Sequence, residues 1–76
     1  MEKKLLRVLN TVLENNGLSK IQSLSRELKL RDQLELDSIN LAELTVRIED
    51  EFDVDIFEDG IVETVGEIMT ILERSE

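Results

Sequence analysis

Three segments of the chain repeat apolar residues at intervals of three and four, which is the period of an amphipathic helix. This pattern predicts helices over residues 3–14, over residues 38–51, and from about Val65 to Arg74. The first helix should stop at Asn15-Asn16-Gly17, because Asn and Gly tolerate the left-handed conformation that ends helices. The last helix should begin at a capping box, in which Thr64 and Glu67 each bond the other's backbone N–H.

The segments between these helices are less regular. Residues 18–36 predict a long connection with a short helical piece around 20–28, pinned across the molecule by its leucines. Glu58-Asp59-Gly60 is a turn signal, and one short helical turn is expected around residues 57–62. The sequence therefore predicts one all-α domain over residues 1–76, a small four-helix bundle with a long first loop and a short third helix.

The helix predicted over residues 38–51 has apolar residues on two opposite sides. Its core stripe consists of Leu41, Leu44, Ile48 and Phe52. The opposite side carries a second apolar set with acidic residues around it: Ile39, Ala42, Val46, Glu43, Glu49 and Asp50. A helix of a small domain cannot bury both sides, so the second side is expected to be exposed as a partner surface.

The net charge of −9 is concentrated in the second half of the chain. Residues 1–35 carry seven basic and five acidic residues, whereas residues 36–76 carry two basic and thirteen acidic ones. This field repels nucleic acid and favours basic protein partners. No apolar run approaches the roughly 18 residues of a membrane span, and the N-terminal residues do not predict a signal peptide. We therefore expect a cytoplasmic protein.

Catalytic and metal sites are not expected. The chain has no Cys and no His, so a serine nucleophile would lack its usual base. Asp53-Val54-Asp55 resembles the start of a calcium-binding loop, but the glycine and glutamate that such a loop needs downstream are missing. The sequence therefore predicts neither an enzyme nor a specific metal site.

Asp37-Ser38-Ile39 is an ordinary helix cap when taken alone, since Asp37 or Ser38 can accept a backbone hydrogen bond. Its setting is more specific: leucines precede it, Glu-x-x-Phe ends the acidic helix that follows, and Thr64-Val65 opens the last helix. Across roughly residues 30–72, this spacing closely resembles the acyl and peptidyl carrier proteins, which bind phosphopantetheine.

The resemblance implies a function for Ser38, with Asp37 and Ile39 as its motif neighbours. A phosphopantetheinyl transferase would attach the 4′-phosphopantetheine of coenzyme A to the Ser38 hydroxyl. The thiol of this arm would carry an acyl or aminoacyl group as a thioester between acyl ligases, transferases and synthases. The exposed side of the second helix would meet basic patches on these enzymes, and the carrier would be a monomer.

Several positions depart from the family pattern. Asn40 stands where many members have Asp, Glu35 where Gly is common, and Arg47 where a small neutral residue is usual. The segment between Ile56 and Thr64 is also short. These departures favour a specialised stand-alone carrier of a lipid, polyketide or other biosynthetic pathway over the carrier of housekeeping fatty-acid synthesis. The alternative is a carrier-like interaction module that is never modified and acts through its acidic helix.

Overall fold

The computed structural model describes residues 1–58 and 60–75, and these residues form three helices and no extended strand. The helices are α1 (Glu2–Asn15), α2 (Ser38–Phe52) and α3 (Val65–Arg74). The predicted bounds of the three main helices are therefore confirmed to within one residue.

The core is a single cluster of aliphatic side chains contributed by the helices and by both connections. Each helix contributes the stripe that its period predicts, including Leu9 from α1, Leu44 from α2 and Ile68 from α3, all fully buried. The cluster contains no aromatic side chain that is fully buried, and Phe52 and Phe57 pack at its edge. Burial of Leu, Ile and Val is thus the main source of stability in this fold.

The helix ends have the polar partners that their sequences indicate. In α3, Thr64 Oγ1 accepts from the Glu67 N–H at 3.2 Å, and Glu67 Oε1 accepts from the Thr64 N–H at 3.1 Å. This is the predicted capping box. At the end of α1, the Asn16 amide donates to the Val12 carbonyl at 2.8 Å, and Gly17 has a φ of 70°. The predicted stop after α1 is also confirmed.

The two predicted short helical pieces are not formed in the described residues. Residues 20–28 contain bends and one turn instead of a helix. The Asn10 side chain binds both backbone groups of Ile21, at 2.8 and 2.9 Å, so the Ile21 carbonyl is not available to accept the first hydrogen bond of a helix that starts near residue 20. Residues 56–58 form an isolated turn, while Asp59, in the middle of the predicted piece over 57–62, lies outside the described residues.

The long connection is held against the start of α3 by backbone hydrogen bonds. The Leu30 N–H donates to the Glu63 carbonyl at 2.9 Å, and the Val65 N–H donates to the Leu28 carbonyl at 2.9 Å. The Gly66 N–H donates to the Arg26 carbonyl, also at 2.9 Å. A side chain at Gly66 would place its Cβ 2.6 Å from that carbonyl oxygen, so the close approach requires glycine.

Candidate functional site

Ser38 is the first residue of α2, directly after the residue that caps the helix. Asp37 is the N-cap, and its Oδ1 accepts from the Asn40 N–H at 2.9 Å. In the reciprocal hydrogen bond, Asn40 Oδ1 accepts from the Asp37 N–H at 3.3 Å. Asn40 is also the single buried polar residue among those described. The residue that departs from the family pattern thus completes a capping box that fixes the backbone on both sides of Ser38.

The Ser38 side chain is exposed, and its hydroxyl has one polar partner in the described residues. Arg31 Nη2 donates to Ser38 Oγ at 3.1 Å. The first N–H groups of a helix lack carbonyl partners within the helix, and the helix dipole adds partial positive charge there. Ser38 Oγ therefore lies between a helix N-terminus and a guanidinium group, which is a favourable place for a phosphate ester.

Arg31 is positioned by a compact turn over residues 29–36. The Leu34 N–H donates to the Lys29 carbonyl and the Glu35 N–H donates to the Arg31 carbonyl, both at 3.1 Å. The turn is anchored from beneath by the buried side chains of Leu30, Leu34 and Leu36. Sequence reasoning did not identify Arg31 as a neighbour of Ser38, because the two residues do not share a helix and their contact depends on how the turn between them folds.

The second apolar set of α2 is exposed, as its position on the helix predicts. Ile39 is 78% exposed and Val46 is 60% exposed, while Ala42 lies between them on the same side. Glu49 and Asp50 are exposed along the border of this set. We call these five residues the α2 outer face. It is continuous with Ser38, because Ile39 is the next residue.

Glu43 lies at the edge of this face and is bound within the chain. Its carboxylate accepts from the Asn16 amide at 3.1 Å, from Arg47 Nε at 3.1 Å and from the Asn15 amide at 3.4 Å. The hydrogen bonds from Asn16 and Arg47 lower the pKa of the Glu43 carboxyl below its ordinary value. Glu43 therefore ties the end of α1 to α2, and its charge is partly neutralised before any partner arrives.

The remaining acidic residues do not form a metal site in the part of the chain that the structure describes. No group of three or more Asp or Glu side chains is arranged there to hold an ion. Asp55, from the segment that resembles a calcium loop, instead accepts a hydrogen bond from the Phe57 N–H at 2.9 Å and closes a turn. Within the same described residues, no helix has the length and apolar character that crossing a membrane requires.

Comparison with protein families shows which family the chain belongs to. A family model described as "Phosphopantetheine attachment site" matches residues 3–72. The chain belongs to this family. Its members carry 4′-phosphopantetheine covalently on a serine, and they act as carriers rather than as catalysts. The resemblance found over residues 30–72 is thereby confirmed and extended through α1, and an unmodified interaction module is not the favoured interpretation. No solved structure matches the chain significantly.

Family membership also sets the general class of partner. Carriers of this family interact with enzymes such as transferases and synthases. The residues around Ser38 fit the covalent group, since the hydroxyl is exposed, the backbone is fixed by the Asp37–Asn40 capping box, and the oxygen lies at the N-terminus of α2 beside the Arg31 guanidinium. When bound, phosphopantetheine supplies a thiol at the end of a flexible arm, which the chain itself lacks because it has no cysteine.

Proposed function

We propose that Ser38 is the attachment residue, and that the protein carries an acyl or aminoacyl group as a thioester on the arm. The observation that carries this assignment is the position of the Ser38 hydroxyl: exposed, first in α2, and next to a guanidinium. In the modification step, Ser38 Oγ attacks the phosphorus that bears pantetheine in coenzyme A. The Ser O–P bond forms, the diphosphate P–O bond breaks, adenosine 3′,5′-bisphosphate leaves, and the hydroxyl proton passes to a base.

The chain has no histidine to act as that base, which is consistent with modification by a separate transferase. The α2 outer face is our proposed docking surface for this transferase and for the enzymes that load and use the arm. Its exposed Ile39 and Val46 supply apolar contact area next to Ser38. Its acidic border would accelerate encounter with basic patches on partners and would act mainly on the association rate.

The proposed pathway is a specialised lipid, polyketide or other biosynthetic route. Its support is the set of departures at Glu35, Asn40 and Arg47, of which Asn40 and Arg47 have structural roles in this chain. A reconstituted fatty-acid synthase tests this part of the proposal. Poor loading and elongation on the modified protein are expected, and efficient elongation would assign the chain to fatty-acid synthesis instead.

The attachment residue is tested by intact-protein mass spectrometry after incubation with coenzyme A and a broad-specificity phosphopantetheinyl transferase. Wild type should gain one phosphopantetheine, and Ser38→Ala should gain none. Ser23→Ala is the matched control, because Ser23 is an exposed serine of the long connection, and it should be modified like wild type. A phosphopantetheine on Ser38→Ala, or none on folded wild type with several transferases, would refute the assignment.

A further inference from the structure

Arg31 lies beside Ser38 and forms no ion pair with a carboxylate of the described residues. Its guanidinium donates to Ser38 Oγ at 3.1 Å, while the three ion pairs found in the described part of the chain join other basic residues. Asp32, Glu35 and Asp37 are all close in sequence, and the chain has a net charge of −9. Arg31 contacts a neutral hydroxyl through one guanidinium nitrogen. Its positive charge and its other N–H donors can therefore still bind an anion, despite the acidic surroundings.

The backbone that carries Arg31 is fixed on both sides. Before it, Leu30 is fully buried and bonded through its N–H to the Glu63 carbonyl at 2.9 Å. After it, the Glu35 N–H closes onto the Arg31 carbonyl at 3.1 Å. The Arg31 side chain is exposed, but its Cα is held in place by the fixed backbone. Binding a ligand therefore costs only side-chain entropy, because the backbone is already ordered.

We infer that Arg31 binds the phosphodiester of the arm on Ser38 and holds it at the N-terminus of α2. This inference rests on the proposed attachment at Ser38. The phosphorus would be bonded directly to the oxygen that Arg31 contacts, so Arg31 would be the residue to hold its non-bridging oxygens. Planar guanidinium groups match such oxygens with two parallel hydrogen bonds, and a charged acceptor strengthens them relative to the present hydroxyl.

Holding the phosphate restricts the direction in which the arm leaves Ser38. Arg31 also lines a cleft of about 360 Å³, together with Lys29, Asp32 and residues 61–63. Lys29 belongs to the same turn, yet the structure shows no hydrogen bond between its side chain and the described residues near Ser38. Lys29 is therefore the matched control for a specific role of Arg31.

The test compares unmodified and modified protein for wild type, Arg31→Gln and Lys29→Gln. In each case the change in Tm on modification is measured, which removes any effect of the substitution on the unmodified fold. Wild type and Lys29→Gln should share the same change, and for Arg31→Gln it should be less favourable by about 2–4 °C. The ³¹P chemical shift of the phosphodiester should also move in Arg31→Gln and remain unchanged in Lys29→Gln.

Arg31→Lys separates charge from geometry, because lysine keeps the charge but loses the planar fork. It should recover part of the Tm difference and little of the ³¹P shift. If all variants are modified but show equal Tm changes and equal ³¹P shifts, Arg31 does not hold the phosphate, while attachment at Ser38 stands. If wild type gains no phosphopantetheine at all, it is the attachment proposal that fails.

Discussion

Glu35 occupies a left-handed backbone conformation three residues before Ser38, with a φ of 63°. In this region the Cβ of an L-residue approaches the following carbonyl oxygen, whereas glycine is unstrained. The Glu35 side chain is exposed, and its backbone N–H bonds the Arg31 carbonyl, a bond that glycine can also make. We therefore expect Glu35→Gly to stabilise the protein, although it removes a side chain.

The magnitude follows from two opposing terms. Relief of the left-handed strain contributes about 1–2 kcal/mol to the free energy of unfolding. Glycine has more freedom in the unfolded chain, which costs about 0.4–1 kcal/mol. The net expectation for Glu35→Gly is a gain of about 0–1.6 kcal/mol with a midpoint of about 0.8 kcal/mol, and that midpoint corresponds to a rise in Tm of about 3–6 °C for a domain of this size.

Thermal and urea unfolding of wild type, Glu35→Gly and Glu35→Ala test this reasoning. Alanine removes the same charge but keeps the Cβ, so Glu35→Ala should leave the Tm within about 2 °C of wild type. If alanine stabilises as much as glycine, the gain comes from removing a negative charge near other acids. If glycine destabilises the protein, the strain at Glu35 is smaller than the entropy cost of glycine in the unfolded chain, and the reasoning is wrong.

Three further predictions concern other parts of the fold. Asp37→Ala should lower the free energy of unfolding by about 1 kcal/mol because the helix cap is lost, whereas Asp37→Asn should not, because Asn can also cap a helix. If both variants are modified slowly, the transferase recognises the negative charge of Asp37. Gly66→Ala should destabilise by about 1–3 kcal/mol, because the 2.6 Å approach of the new Cβ to the Arg26 carbonyl oxygen outweighs the gain in helix propensity of about 1 kcal/mol. Ala42→Gly, at an exposed position of α2, is the reference that measures the difference in helix propensity between alanine and glycine. If Gly66→Ala stabilises the protein, the close approach at Gly66 is wrong. Glu43 has a lowered pKa in the folded state. Its ionised carboxylate therefore adds to the free energy of unfolding above the ordinary pKa of 4.5, and this stabilisation is lost as the pH falls below that value. The stability difference between wild type and Glu43→Gln should therefore shrink between pH 6 and 3, and a constant difference would exclude this linkage.

Much of the fold could be predicted because its determinants are local. The three main helices follow from apolar periodicity, and the cap of α3 follows from two residues three positions apart. The exposed side of α2 followed from a physical limit, since one helix cannot bury both Leu44 and Val46 in a domain with a single core. The departure at Asn40 was visible in the sequence, but its role as the second half of a capping box became clear only from the structure.

The connections could not be predicted because their partners are distant in sequence. The helix expected over residues 20–28 is absent because Asn10, in α1, bonds the backbone of Ile21. The antiparallel bridge between Lys29 and Thr64 has no sequence signature either, since it joins backbone groups and leaves the side-chain pattern unchanged. Gly66 lies in the first turn of α3, where glycine either weakens a helix or permits close packing, and the structure shows close packing.

The same turn accounts for both the strain at Glu35 and the contact between Arg31 and Ser38. Seven residues of extended chain would span about 23 Å, yet these two side chains are 3.1 Å apart. Residues 29–36 fold into a turn, which Glu35 closes with its positive φ, and this turn brings residue 31 next to residue 38. A residue under strain next to a functional group is retained only when the surrounding structure holds it. Here the buried leucines of the turn and its backbone bonds to the start of α3 supply that support, so the position of Arg31 depends on the core as much as on its own neighbours.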